Sequence, residues 1–448
     1  MHKVSIIGAG VSGQGLALLA HNLGYEVFVS EKKSISQDAK SLFIQNNIAY
    51  EEGHTPKVFD CDEILISSGI PPQSEILHEA EKLNLTLTGE LDFVIPHIKT
   101  SSLICVTGSN GKSTVTSLIG HILSNAGLKA GAGGNLGTAS ARFTQEDFDA
   151  VVLELSSFQL ARATQNLRSK VSIITNLAPD HIDWHGSYEA YVEAKSHVLT
   201  LRDQNGWGII QDRDYDTLRP SGKIIVLSWT QTPQHDTAGH IFMAEDRAIL
   251  TVNGESSTLF TYKDTTLIGS HNLENVAMSL CAVKLLGVDI SGRAKSLLDG
   301  FRPLPHRCED AGTLGGVQYI DDSKGTNVAA TITAMKSISG RKIIILGGQG
   351  KGEDYTPLAE AVKSECDYAV LIGEEAGKIQ QALEREGFVN FRRVSTMEEA
   401  VNVSQSLAVP GMVVLLSPAC TSWDMYKSYK ARGEHFCKIV REKIESAS

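Results

Sequence analysis

Short apolar runs alternate with small-residue loops and amphipathic stretches along most of the 448 residues. Val4-Ser5-Ile6-Ile7 leads into Gly8-Ala9-Gly10-Val11-Ser12-Gly13, after which Leu16, Leu19, Ala20 and Leu23 recur at helical spacing and Gly24 closes the turn. The run Val27 to Val29 ends at Glu31, and Glu63 to Ile66 ends at Ser67-Ser68-Gly69-Ile70-Pro71. Leu103 to Val106 precedes Thr107-Gly108-Ser109-Asn110-Gly111-Lys112-Ser113-Thr114, and Val115, Leu118, Ile119 and Ile122 then mark a helix. Buried strand, loop and helix in this order predict parallel sheets covered by helices.

The pattern divides twice. Pro96 to Ser102 is a polar connection and Arg302 to Arg307 is punctuated by prolines, which predicts domains over 1–96, 97–302 and 303–448. Between Gly206 and Asp264 the texture changes to short β-prone pieces with a hairpin turn at Asn253-Gly254. That stretch reads as a small β-rich insertion in a central, P-loop-type mononucleotide-binding α/β domain. The segments on either side predict Rossmann-like α/β domains, the last with strands at Ile343 to Leu346, Tyr368 to Ile372 and Met412 to Leu416.

Composition narrows the class. The net charge of −11 argues against non-specific nucleic-acid binding. Seven dispersed cysteines without C-x-x-C spacing fit reduced thiols in a cytoplasmic protein. No apolar run approaches the ~18 residues that a membrane span needs. A monomer with small-molecule partners is expected.

Candidate chemistry sits at the strand ends. Gly8, Gly10 and Gly13 with Glu31 form a G-x-G-x-x-G fingerprint with a following acid. This suits NAD or FAD, but equally any ligand offering a diphosphate and a ribose hydroxyl. Gly108, Gly111, Lys112 and Ser113 form a phosphate loop two residues shorter than the common one. Glu154, at the end of the apolar run from Val151, is either a solvated strand edge or a magnesium ligand. Lys195 shares an apolar helical stripe with Tyr188, Tyr191, Val192, Val198 and Leu199, so it either snorkels to water or serves a function. Asn272 and Asn275 open a helix, where asparagines also act as caps.

Together these pieces resemble the Mur ligase family over essentially the whole chain. The likeness is carried by Thr107 to Ser113, Gly133-Gly134-Asn135-Leu136-Gly137, Glu154 to Leu160, Asp180-His181-Ile182-Asp183 with Lys195, Leu304 to Arg307, Asp322 to Asn327 and Ser417 to Ser422. It departs at Gly325, Trp184 and the Glu31-Lys32 pair. The resemblance implies an ATP-dependent amide ligase adding D-glutamate to UDP-N-acetylmuramoyl-L-alanine through an acyl phosphate. It implies ATP at Gly108, Ser109, Asn110, Gly111, Lys112, Ser113, Thr114, Asn272, Asn275, Arg307 and Asp322. Two magnesium ions would be held by Ser113, Glu154, His181 and Lys195, the last as a carbamate formed with carbon dioxide. Lys112, Glu154, His181 and Lys195 would be catalytic. The UDP substrate would lie on Gly10, Val11, Ser12, Glu31, Lys32, Gly69, Asn135 and His181, and D-glutamate on Lys324, Thr326, Lys351, Ser422 and Tyr429.

Overall fold

The runs of apolar residues become the middle of three sheets in a computed structural model, which describes residues 2–447 other than Leu136, Ile268 and Pro303. Leu136 of the glycine motif and Pro303 at the expected second boundary therefore lie outside the described residues. The first sheet is wholly parallel, in the order Ala49–Glu52, Glu26–Glu31, Lys3–Ile7, Glu63–Ile66, Thr86–Gly89. The chain leaves its central strand for opposite sides of the sheet, so the ends of Lys3–Ile7 and Glu63–Ile66 flank a topological switch point. The glycine loop sits there.

Each glycine of that loop has a separate physical reason. Gly8 has a φ of 100° and lies against the Ser67 side chain. Gly10 faces open space, which permits close approach of a ligand, and Gly13 packs its Cα against the Gly8 carbonyl. The helix Val11–Asn22 follows at once.

The second sheet has nine strands. Its order is Glu255–Thr261, Arg247–Val252, Gly239–Met243, Lys223–Ser228, Trp207–Gln211, Ser169–Ile174, Leu103–Thr107, Ala150–Glu154, Ala130–Gly134. Leu103–Thr107 is buried at every position, as expected of a parallel strand covered on both faces. The stretch read as a β-rich insertion extends this same sheet. Trp207–Gln211, Lys223–Ser228 and Gly239–Met243 continue it in parallel, and a hairpin adds the final two strands antiparallel. Asn253 and Gly254 turn that hairpin with φ values of 53° and 80°, the two positive angles of a type I′ turn.

The third sheet runs Glu309–Leu314, Val317–Asp321, Val413–Leu416, Lys342–Gly347, Tyr368–Ile372, Phe391–Arg393, antiparallel only at its first pair. Helices bury apolar residues on both of its faces. The first two sheets fall in one compact unit, while the third joins Ala178–Tyr188 and Leu267–Leu273 in another. Among the described residues, no helix is long and apolar enough to cross a membrane.

Gly13→Ala tests the packing at the first loop. A Cβ there has nowhere to go but into the Gly8 carbonyl, so the variant is expected to lose about 1–3 kcal/mol. Thermal melting followed by circular dichroism would show this as a lowered first transition. An unchanged melt would contradict the packing.

Candidate active site

In the first unit, strand order brings separate loops to one edge. Leu103–Thr107 lies between Ala150–Glu154 and Ser169–Ile174, all parallel, so the residues after each strand meet above it. Gly111, with a φ of 82°, caps the helix Lys112–Asn125. The N–H groups of that helix's first turn have no acceptor within the helix and carry its positive dipole end. Asn275 closes the other side, since a Cβ on Gly111 would stand 2.7 Å from Asn275 Oδ1. The N–H groups of Ser109 and Asn110 turn inward and donate to the Asn176 carbonyl at 2.9 Å and Asn176 Oδ1 at 3.0 Å. That pinning fixes the loop's shape.

Two lysines converge on one carbonyl oxygen. Lys112 Nζ donates to the carbonyls of Gly108 and Ser109, each at 2.8 Å. Lys195 Nζ also donates to the Gly108 carbonyl at 2.8 Å, and to Thr107 Oγ1 at 3.4 Å. The side chain of Lys195 comes from the helix Tyr188–Thr200, passes over the Tyr191 ring at 4.7 Å and is 2% exposed. Snorkelling is thereby excluded: this lysine points inward. Two ammonium groups sharing an acceptor lie less than about 6 Å apart, and their repulsion is of order 3 kcal/mol at an effective dielectric near 20.

Glu154 is the last residue of its strand and 2% exposed, so the solvated-edge reading also fails. Its Oε1 accepts from Asn135 Nδ2 at 3.1 Å, whereas Oε2 is buried with no hydrogen-bond partner among the described residues. A buried carboxylate oxygen left open beside a phosphate loop fits a hard cation, with the Ser113 hydroxyl as a second oxygen donor.

The first sheet's loop holds Gly10, Val11 and Ser12 at a helix start, with Val11 largely exposed. Glu31 turns its carboxylate back onto the loop: Oε2 accepts from Ala9 N at 2.9 Å and Oε1 from Lys33 N at 3.1 Å. Lys32 and Gly69 are exposed. Glu90 enters as a residue the sequence did not mark. It is buried, accepts from Ser12 Oγ at 2.7 Å and Gln159 Nε2 at 3.1 Å, and burial pushes its carboxyl above the usual range. Ser12 is thus tied to the Glu154 to Leu160 motif.

The second unit assembles its own polar cluster. His181 adopts the left-handed conformation, φ 53°, and its Nε2 lies 3.7 Å from Asp180 Oδ2. Lys351 Nζ pairs with Asp180 Oδ1 at 2.8 Å, and Asn327 Nδ2 reaches Asp180 Oδ2 at 3.3 Å. Nearby, burial raises the Glu353 carboxyl to about 7. Asp322, also raised to about 7 by burial, accepts from Ser417 Oγ at 2.6 Å and from Cys308 N at 3.3 Å, which places it beside Arg307 in sequence. Lys324 Nζ sits over the Tyr429 ring at 4.3 Å, and Ser422 is buried. Thr326 is half-buried in the same loop, and Asn272 lies in the first turn of the helix Ser270–Leu285.

Arg432 ties these loops together. Its guanidinium donates to the carbonyls of Ser323, Cys420 and Thr421, and burial lowers its pKa to about 10. Gly433 follows it because a Cβ there would strike His306 and Asp321. His306, Cys308 and Ala419 hold positive φ in the same loops without being glycine. Such angles persist where surrounding structure over-determines them, commonly at functional sites.

Three family descriptions match the chain: the MurD N-terminal domain over residues 3–76, the Mur ligase middle domain over 106–283, and the Mur ligase, glutamate ligase domain over 306–420. The chain belongs to the Mur ligase family. A UDP-N-acetylmuramoylalanine--D-glutamate ligase from Bacteroides thetaiotaomicron is 32% identical over 457 residues, covering 99% of this chain and 100% of the relative. Among solved structures, the UDP-N-acetylmuramate-alanine ligase MurC from Thermotoga maritima covers 100% of both chains at 16% identity with a TM-score of 0.63. The MurF ligase from Thermotoga maritima in complex with ADP covers 94% of this chain and 96% of its own at 16% identity, with a TM-score of 0.59. These two share the fold.

The raised Glu353 carboxyl predicts a pH effect on the second unit. A carboxylic acid whose folded pKa lies above its unfolded one costs stability as pH climbs from about 4.5 through about 7. Glu353→Gln keeps an acceptor for Val328 N and removes that cost. Its melting temperature is expected to rise relative to wild type between pH 5 and 8. Parallel curves would contradict the assignment.

Proposed function

We propose that this chain is an ATP-dependent amide ligase that joins D-glutamate to UDP-N-acetylmuramoyl-L-alanine during peptidoglycan precursor synthesis. The observation that carries this reading is the match, end to end, to a UDP-N-acetylmuramoylalanine--D-glutamate ligase at 32% identity. The working division is 1–96 for the UDP substrate, 97–302 for ATP and 303–448 for the amino acid. A monomer in the cytoplasm completes the reading.

The reaction needs little covalent help from protein. The γ-phosphoryl group passes from ATP to the substrate carboxylate, giving an acyl phosphate and ADP. The D-glutamate amine attacks the acyl carbon, and the tetrahedral adduct expels phosphate to leave the amide. Positioning and charge neutralisation carry the rate. Lys112 and the first-turn N–H groups of Lys112–Asn125 neutralise the phosphates, while Asn272, Asn275, Arg307 and Asp322 hold the rest of the nucleotide. Ser113 and Glu154 would hold magnesium, with His181 a further ligand. When bound, magnesium supplies positive charge against the phosphate oxygens.

Lys195 is assigned as the carbamate. The ammonium first gives up a proton. Its neutral amine then forms an N–C bond to carbon dioxide as one C=O π bond opens onto oxygen, and a second proton leaves the nitrogen. A cation beside Lys112 thereby becomes an anion that offers oxygen ligands to a metal. Gly10, Val11, Ser12, Glu31, Lys32 and Gly69 frame the UDP, with Asn135 and His181 nearer the acyl end. Lys324, Thr326, Lys351, Ser422 and Tyr429 take the D-glutamate carboxylates. Lys351 then exchanges the Asp180 carboxylate for one belonging to the substrate.

Phosphate release tests the assignment. With ATP, magnesium and UDP-N-acetylmuramoyl-L-alanine, D-glutamate is expected to stimulate release strongly, and L-glutamate, L-lysine or meso-diaminopimelate not at all. Stimulation by one of these and not by D-glutamate would move the chain to another branch of the family.

A further inference from the structure

Trp229 stands outside every role assigned above. It directly follows Lys223–Ser228, a strand parallel to Trp207–Gln211, which is parallel in turn to Ser169–Ile174 and the phosphate-loop strand Leu103–Thr107. The residues after these four strands therefore share the sheet edge where ligands of such folds bind. Glu154 ends the neighbouring strand on the other side of Leu103–Thr107. Phosphate loop, open carboxylate oxygen and Trp229 lie along one line, with Trp229 three strand spacings, about 14 Å, from the loop's strand. An extended nucleoside triphosphate covers that reach.

A continuous hydrogen-bonded relay follows the same line. Thr175 Oγ1 donates to the Asn110 carbonyl of the phosphate loop. Gln211 Nε2 donates to the Thr175 carbonyl at 3.2 Å and to Glu274 Oε2 at 3.0 Å. Glu274 Oε1 accepts from Trp229 Nε1 at 2.8 Å and from Arg213 Nη1 at 3.5 Å. Glu274 is 7% exposed and immediately precedes Asn275, whose Oδ1 would stand 2.7 Å from a Cβ added at Gly111. Trp229 itself remains 42% exposed, with Tyr262 on one side at 6.5 Å between ring centroids. A buried carboxylate thus fixes the indole by its edge and leaves ring surface open to solvent.

We propose that Trp229 is a stacking platform for the purine base of the bound nucleotide. The inference rests on the ATP reading above. A ring held by its N–H and open on its face matches the geometry in which a base gains from stacking on an aromatic side chain. The relay through Glu274, Gln211 and Thr175 sets the platform at a fixed distance from the phosphate loop.

Calorimetric titration of the full-length protein with magnesium–ADP and with inorganic tripolyphosphate separates base from phosphate. Trp229→Ala is expected to weaken ADP about 10-fold and leave tripolyphosphate unchanged, while Trp229→Phe, which retains a ring, stays within about 3-fold of wild type. ADP is also expected to quench tryptophan fluorescence in wild type and not in Trp229→Phe. Equal ADP affinity in wild type and Trp229→Ala would overturn the platform and leave the ligase reading standing. Equal losses for ADP and tripolyphosphate would overturn it in favour of a role in loop support. Failure of wild type to bind ADP at all would overturn both.

Discussion

The carbonyl oxygen of Gly108 governs the first unit. It accepts hydrogen bonds from Lys112 and Lys195 at the same distance, so two cations are held where mutual repulsion is strong. Negative charge nearby favours such an arrangement. A triphosphate on the helix start would answer that demand for Lys112, and the carbamate proposed for Lys195 would answer it from within the chain. The Glu154 oxygen that is buried without a partner among the described residues states the converse requirement, a cation for a buried anion. These demands together are the electrostatic outline of a nucleotide and its metal.

The fold supplies the geometry for this outline cheaply. Parallel strands deliver loops to one edge, and glycines allow each loop to turn back on its neighbour. In the first sheet the same device leaves Gly10 open and packs Gly13 closed. The second unit works differently. There His181, His306, Cys308 and Ala419 carry the strained backbone, and Arg432 fastens the loops by three carbonyls. Charge there is handled by neutral or paired acids: Asp180 with Lys351, and Asp322 and Glu353 with raised pKa values.

What the chain pattern revealed follows from local rules. The glycine loops, the strand ends at Glu31 and Glu154 and the turn at Asn253-Gly254 are set by nearest neighbours along the chain, and periodicity placed Lys195 on a buried stripe. The pattern could not choose between snorkelling and inward aim, because that depends on what lies across the sheet. The β-prone stretch beginning at Trp207 looked separate for the same reason: strand pairing with Ser169–Ile174 is not local. Pairs such as Lys351 with Asp180, Glu90 with Ser12 and Trp229 with Glu274 join distant positions and leave no spacing signal. Arg432 likewise reaches carbonyls of residues 11 to 109 positions away, contacts that no local spacing marks.

The most direct test concerns the charge on Lys195. Carbon-13 NMR of the protein equilibrated with labelled bicarbonate should show one carbamate resonance in wild type that disappears in Lys195→Ala. An active wild-type protein without that resonance would contradict the account, since Lys195 would then remain an ammonium beside Lys112.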